Sequence, residues 1–395
     1  MTAVTKFEAA RRGRWAMTAM FLVNGFIIGS WAPHIPLLVS RLSISESTLG
    51  VLILLFGLGA LAAMPTCGFL MARHGSRKVL RSFALLSCLG LGAAVLAPSV
   101  WLAGPALFFM GGVVGGTDVA MNTNAVAVEQ RLRRAIMSAS HGFWSLGGFF
   151  GGALGGLTIQ NFGYLAHAGF VTLVAFGLVA GAIPFLLDDD HQPKAQAHDA
   201  RRTTMPRNPM IYLVGLVALF AMIPEGAVLD WAALYLQQER GADIATAGFA
   251  FAAFSGTMAA LRFLGDRVRN RLGAVTTVRV SSLIAATGMM VAGLSSQPWL
   301  AIAAFAFAGL GIANLVPIAF SAAGNQPGMA TGTGMSIVTT MGYSGILVAP
   351  SAIGFIGERT GFGPIFVVLA GILIVVCLMA PLARAADFVA RQPAE

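Results

Sequence analysis

Twelve stretches of this chain, each about twenty residues or longer, are almost wholly apolar. They lie at 15–39, 47–71, 79–97, 101–128, 136–159, 164–187, 210–236, 243–264, 275–294, 299–322, 332–356 and 361–383. About 20 apolar residues in a helix cross the hydrocarbon core of a bilayer. In lipid, only helices and closed barrels satisfy their own backbone hydrogen bonds. The pattern therefore predicts an all-α polytopic membrane protein with twelve transmembrane helices. Composition agrees: 57% of the 395 residues are hydrophobic and 10% are charged, against roughly 25% charged in an ordinary soluble domain.

The net charge of +9 would suit a nucleic-acid binder, but its placement points to topology instead. With the N-terminus inside, 22 of the 25 Lys and Arg fall on cytoplasmic stretches, among them five at 262–279; Arg41, Arg240 and Arg359 stand on the other side. By the positive-inside rule both termini of this multi-pass protein are cytoplasmic. The first apolar stretch is too long for a signal peptide and eleven more follow, so it reads as an uncleaved span. Cys67, Cys88 and Cys377 fall within or beside spans at no metal-binding spacing, and read as small packing residues.

The longest polar segment, "DDDHQPKAQAHDARRTTMPRN" at 188–208, reads as a cytoplasmic linker. It divides the chain into a six-helix bundle over 1–187 and a second over 209–395. Three weak matches cross it in order: "GSWAP" at 29–33 with "LDWAA" at 229–233, "RHGSRK" at 73–78 with "RVRNRL" at 267–272, and "HGFWS" at 141–145 with "MGYSG" at 341–345. Their nearly constant offset argues for homologous halves. Six spans in each half gives both the same orientation, hence a parallel pseudo-twofold along the membrane normal.

Twelve spans, a central linker and a parallel repeat resemble the major facilitator superfamily (MFS), over essentially the whole chain. A hallmark of that family is the loop after span 2, usually Gly-x-x-x-Asp-Arg-x-Gly-Arg-Arg/Lys. Here Gly68 to Lys78 keeps Arg73, Gly75, Arg77 and Lys78 but has Ala72 at the aspartate position, while the second half retains Asp266 and Arg267. The resemblance implies that Arg73, Arg77, Lys78, Asp266 and Arg267 belong to a cytoplasmic gate, and that the usual latch from the first-half aspartate is missing. Four blocks, "SWAPHIPLL", "GGTDVAMNTNAVAVEQR", "HGFWSLGG" and "EGAVLDWAALYL", look more specifically like a bacterial inner-membrane branch that includes rhizopine-transport-like proteins. That likeness implies sugar-like or inositol-like solutes.

Polar residues inside spans are the functional candidates, because an ionised carboxylate at a helix centre costs on the order of 3 kcal/mol unless it faces water or a partner. Glu225 in span 7 stands between Pro224 and Gly226, near mid-membrane. Asp118 in span 4 is also deep, and Asn122, four residues on, shares its face. Both acids are candidates for proton coupling. Glu129 and Asp230 lie nearer the two ends of their spans and read as gate residues, with Trp231 at the outer interface. Ser138, His141 and Ser145 share one face of span 5. His141, with Asn24, Asn122, Asn314 and Tyr343, is a candidate for solute contact; Trp31 and Trp144 offer flat surfaces for a sugar ring. Gly111, Gly112, Gly115 and Gly116, and Gly147, Gly151 and Gly155, permit close helix packing.

No phosphate-binding loop, Gly-x-Ser-x-Gly, His-Glu-x-x-His or cysteine cluster occurs, which speaks against an enzyme, an ATP-driven pump, a metal site and a bound cofactor. The expected activity is secondary active transport of a small polar organic solute by alternating access, proton-coupled, by a monomer whose partners are solute, protons and membrane lipid. A drug or metabolite exporter is one alternative; the span 5 Gly-Pro pair usual in drug–proton antiporters is absent. A solute sensor that binds without transporting is the other.

Overall fold

A computed structural model describes residues 3–132, 136–188, 208–326 and 331–387. Most of the expected linker, 189–207, lies outside the described residues, as do the side chains of Ala72, Glu129 and Asp266. The described residues are nearly all helical and contain no strand.

The first half comprises α1 (Ala3–Trp31), α2 (His34–Leu42), α3 (Glu46–His74), α4 (Ser76–Leu96), α5 (Val100–Leu132), α6 (Met137–Phe162) and α7 (Tyr164–Ala182). The second comprises α8 (Pro209–Arg240), α9 (Ile244–Leu272), α10 (Ala274–Leu294), α11 (Pro298–Ile312), α12 (Leu315–Gly324), α13 (Thr331–Thr360) and α14 (Gly363–Met379). Span 1 breaks at Ala32–Pro33 into α1 and α2, and span 10 breaks at Ala313–Asn314 into α11 and α12, so among the described residues fourteen α-helices make twelve crossings. Eleven crossings are long and apolar enough for a bilayer. The twelfth, α6, is 26 residues long, about 39 Å at 1.5 Å per residue. Its glycines lower its hydropathy, and they are there for packing.

Those glycines come in pairs and make two seams. Gly147, Gly151 and Gly155 face α1 and the α1–α2 break, where an added Cβ would strike Leu22, Phe26 or Pro33. Gly148, Gly152 and Gly156 face α9, where it would strike Ser255, Ala252 or Ile244. Bare backbone on both sides lets α6 lie against both halves at once.

The repeat is plainer in structure than in sequence. Single glycines at positive φ join α3 to α4 (Gly75, 81°), α6 to α7 (Gly163, 84°), α9 to α10 (Gly273, 76°) and α13 to α14 (Gly361, 78°). Only glycine adopts that region without strain, and Gly75/Gly273 and Gly163/Gly361 are each 198 apart. Ser45 caps α3 through the Thr48 amide, and Asp243, also 198 on, caps α9 through the Thr246 amide. Asp188 and Asp387 close the two halves alike: Asp188 pairs with Arg77 at the start of α4, and Asp387 accepts from the Ala274 amide at the start of α10. Helix pairing follows the same rule, α1 on α6 as α8 on α13, and α3 on α5 as α9 on α11.

Contact between the halves runs mainly through α6–α9, α3–α13 and α2–α8, and the first two pairs are exchanged by the pseudo-twofold. The two ends of the molecule differ. At the end bearing residues 42–46 and 240–244, here the far end, the halves are stitched together. The Gln238 amide donates to Glu46 (2.9 Å), the Ser47 amide to Glu358 (3.1 Å), Ser351 to the Gly50 carbonyl (3.0 Å) and the Ala245 amide to Gln160 (3.0 Å). Toward the near end, Gly57 of α3 lies against Leu347 of α13, and Tyr343, one turn further along α13, is 37% exposed. The α6–α9 seam continues to a Phe143–Phe263 edge contact at 5.4 Å. The far end is thus held closed by bonds between the halves, and at the near end the α6–α9 seam holds them together.

Candidate functional site

At mid-depth, α8, α9 and α6 converge on an arginine that the sequence reading had counted among the cytoplasmic charges. The predicted span 8 stopped at residue 264, but α9 runs on to Leu272. Arg262 therefore lies ten residues, about 15 Å, inside the helix end, and its side chain is only 12% exposed. The 22 charges assigned to cytoplasmic stretches thus include one that lies within a candidate span, Ile244–Gly265.

Arg262 binds in two directions. One guanidinium nitrogen donates to Glu225 of α8 at 3.4 Å, within its own half. The other donates to the Ser145 hydroxyl of α6 at 2.6 Å, across to the first half. Ser255 of α9 reinforces the joint by donating to the Ser145 carbonyl at 2.7 Å. The Arg262 Nε–H is buried with no partner among the described residues. Glu225, the carboxylate that made an apolar helix look unusual, is thus matched by a cation that sequence inspection placed elsewhere.

Other candidates gather around this pair. His141, one turn before Ser145, packs edge-on against Phe21 at 5.1 Å and lies within electrostatic range of Arg262. Tyr343 on α13 lies within range of both Asp118 and Glu225, so α5, α8 and α13 present these groups to one region. Asn122 bends back onto Asp118, donating to its carbonyl at 2.8 Å and its carboxylate at 3.3 Å; the spacing of four does what the sequence expected. The set holds two carboxyls, one guanidinium, an imidazole, a phenol, an amide and a hydroxyl, contributed by both halves.

Other expected contacts stand apart from this group. Asn24 is 2% exposed and its amide is engaged: it accepts from Trp144 Nε1 at 2.9 Å and donates to the Val114 carbonyl at 3.3 Å. Asn24 and Trp144 thereby tie α1 to α6 and α5. Trp31, 4% exposed, lines a cavity of about 150 Å³ near the far end with His34, Arg41 and Tyr164. There His34 and His167 share a hydrogen bond at 2.8 Å, a pairing no sequence spacing announced. Asn314 occupies the α11–α12 break, buried against Gly265 of α9, and its Nδ2 has no partner among the described residues.

Of the gate candidates, Arg77 pairs with Asp188 of its own half at 3.2 Å, Arg73 stacks on Phe69 of its own helix, and Lys78 and Arg267 are exposed. The side chains of Glu129 and Asp266 lie outside the described set. Asp230 and Trp231 lie within α8, which continues to Arg240. Asp230 is 7% exposed, and Trp231 is fully buried and stacked on Phe362 at 5.1 Å.

The Major Facilitator Superfamily model matches this sequence over residues 15–325 and 214–393. An uncharacterized MFS-type transporter of Yersinia pestis is 34% identical over 361 residues, covering 91% of this chain and 93% of its own. The membrane protein MosC of Rhizobium meliloti is 31% identical over 367 residues, 91% of this chain and 88% of its own. Among solved structures, a mutant of the nucleoside transporter NupG superposes with a TM-score of 0.73 at 12% identity, covering 94% of this chain and 99% of that one. A variant of the E. coli fucose:proton symporter FucP does so at 0.62 and 15% identity, covering 94% and 98%. At such identities the structural likeness concerns the fold alone.

Proposed function

The chain belongs to the major facilitator superfamily, and within it we propose a proton-coupled carrier of a small polar organic solute, sugar-like or inositol-like. It works by alternating access between the bundles 1–187 and 209–395. The observation that carries the reading is the Arg262–Glu225 pair, set inside the membrane and hydrogen-bonded across to Ser145 of the other half. Such a pair exists in two forms. With Glu225 ionised, Arg262 is neutralised from within its own half. With Glu225 protonated, the guanidinium has lost its counter-charge and its donors turn to Ser145 and to a solute oxygen. Proton and solute then act on one guanidinium, which is how a gradient in one drives movement of the other. Asp118, with Asn122 and Tyr343, forms the opposite wall and is the second proton-coupling group.

The solute class draws support from the hydroxyl, amide, imidazole and phenol groups around the pair, which suit a polyol. A fold shared with a fucose:proton symporter agrees with it. We place the near end in the cytoplasm, from the Lys/Arg distribution, in the inner membrane of a bacterium and as a monomer.

The experiment is solute uptake into proteoliposomes under an imposed proton gradient, with the solute chosen by a thermal-shift screen of sugars, inositols, amino acids and drugs. Glu225→Gln keeps the shape and removes the titration; it is expected to abolish accumulation while sparing binding and exchange. Uptake by Glu225→Gln at the wild-type rate and pH dependence would remove Glu225 from coupling. The same phenotype in Asp118→Asn alone would move coupling to α5.

A further inference from the structure

The two halves finish their far ends differently. In the second half, Arg240 at the end of α8 donates to the Gly293 carbonyl near the end of α10 (3.5 Å) and lies over the Tyr235 ring at 4.6 Å. The Tyr235 phenol in turn donates to the neighbouring Ala292 carbonyl at 2.6 Å, so its ring fills the space between those helices. Glu239 stands 3.7 Å from the guanidinium and accepts from the Phe362 and Gly363 amides at the start of α14, the latter at 3.3 Å. A ring, a cation and a carboxylate on a helix N-terminus close this corner from within the chain.

The first half repeats the frame. Arg41, near the end of α2, donates to the Val95 carbonyl, 198 residues before Gly293, and to the Ala97 carbonyl at 3.0 Å. It lies over the ring of Tyr164, 198 before Phe362, at 5.2 Å. Two parts differ. Beside Ala94, 198 before Ala292, there is no ring but the cavity of about 150 Å³, whose other walls include Leu37, Leu38 and Val95. In place of Glu239, Ser40 precedes the arginine. Arg41 accordingly forms no ion pair with a described residue, and the N-terminus of α7 has no side-chain cap.

A buried histidine is an independent sign. His34 is 3% exposed and lines the same cavity. Its Nε2 is bonded to His167 Nδ1 at 2.8 Å, and its Nδ1 has no partner among the described residues. If His34 were the donor in that bond, the proton of His167 would sit on its own Nε2, which is buried and unpaired. Orphaned buried N–H groups are rarer than under-satisfied acceptors. His167 is therefore the donor, and His34 carries its proton on Nδ1, available to an acceptor.

We propose that this corner binds a membrane phospholipid through its phosphate. The phosphate meets Arg41, His34 and the first amides of α7, as the Glu239 carboxylate serves the second half, and the apolar part of the lipid takes the place of the Tyr235 ring. Guanidinium groups and helix N-termini are ready partners for phosphate, and basic pockets between spans take up lipid headgroups. The apolar walls favour a lipid over a free anion. So do Leu96 and Leu165, 68% and 53% exposed, which follow the lining residues Val95 and Tyr164 in sequence. The helices concerned, α4 and α7, pack against others of their own half, so this site is separate from the Arg262–Glu225 pair and does not rest on the transport reading.

The test is native mass spectrometry of the purified full-length protein, freed of lipid in a non-ionic detergent. Three probes are compared: dioctanoyl phosphatidylglycerol; dioctanoylglycerol, which lacks the phosphate; and glycerol 3-phosphate, which lacks the chains. The first phosphatidylglycerol is expected to bind about tenfold more tightly than either of the others. Ser40→Glu gives Arg41 the carboxylate neighbour that Arg240 has, and Arg41→Gln removes the cation; each is expected to lower phosphatidylglycerol to the affinity of dioctanoylglycerol. Should Arg41→Gln not fold, Ser40→Glu decides alone, since it adds a charge partner and is expected to keep the wild-type unfolding midpoint. Phosphatidylglycerol binding no tighter than dioctanoylglycerol overturns the proposal, as does wild-type binding by Ser40→Glu. Glycerol 3-phosphate binding as tightly as the lipid overturns the lipid as occupant in favour of a free phosphate.

Discussion

Replacing Arg262 by Met keeps an unbranched side chain of similar length and removes the charge. The pair it leaves has its charges 3.4 Å apart, with side chains 12% and 22% exposed. At an effective dielectric of about 20 the Coulomb attraction is about 5 kcal/mol. Desolvation of both groups opposes most of that, and the lasting damage is Glu225 left buried without its cation, about 3 kcal/mol. Loss of the charged donor to Ser145 adds roughly 1 kcal/mol. For a chain of this length each kcal/mol shifts the unfolding midpoint by roughly 1–2 °C, so Arg262→Met is expected to unfold about 4–8 °C below wild type in detergent. Glu225→Gln, which leaves the amide oxygen to accept from Arg262, loses less. The double variant has no orphaned charge and recovers most of the loss. Midpoints for the four proteins, taken at one scan rate, give the coupling directly. Single-variant losses that simply add in the double variant would refute the pairing, and so would an Arg262→Met protein as stable as wild type.

Two further expectations concern movement and orientation. Cysteines at Gly50 and Ser351 face each other across the far seal; cross-linked, they are expected to block transport, with reductant restoring it, and full turnover by cross-linked protein would show that the far end does not open there. A reporter fused after Pro193 is expected to be active only in its cytoplasmic form; activity of a periplasm-specific reporter would invert the topology.

The crossings were legible because each is a long apolar run whose length is set by the bilayer, a signal that survives crude boundaries. Asp118 with Asn122 was legible because i, i+4 neighbours share a face whatever surrounds them. Arg262 was missed for a definite reason. It precedes Asp266, Arg267, Arg269 and Arg271, so a charge count assigns it to the loop. Arg262 also falls inside the predicted span 243–264, and the contacts with Glu225 and Ser145, on a helix that continues to Leu272, separate it from the basic run that follows. Trp231 was legible as a tryptophan near the end of a span, but not its burial, which comes from stacking on Phe362 in the turn before α14. The His34–His167 and Asn24–Trp144 contacts join residues 133 and 120 positions apart, and such pairs emerge only once helices are packed.

The double row of glycines on α6 has a mechanical consequence. Two helices that mesh by side chains behave like cogs: to slide, each ridge must climb out of its groove. Along Gly148, Gly152 and Gly156 there are no teeth on the α6 side, and α9 answers with Gly248, Ala252 and Ser255. Backbone rests on backbone as a shaft rests in a plain bearing. A small roll or slip along Gly152 and Gly156 meets mainly backbone, while Phe149 against Gly256 and Phe263 against Gly142 resist it elsewhere along the seam, so resistance to rocking resides in these contacts, in the few polar clasps at the rims and in the Arg262 joint at the centre. A machine built this way is governed by its catches rather than by its axle.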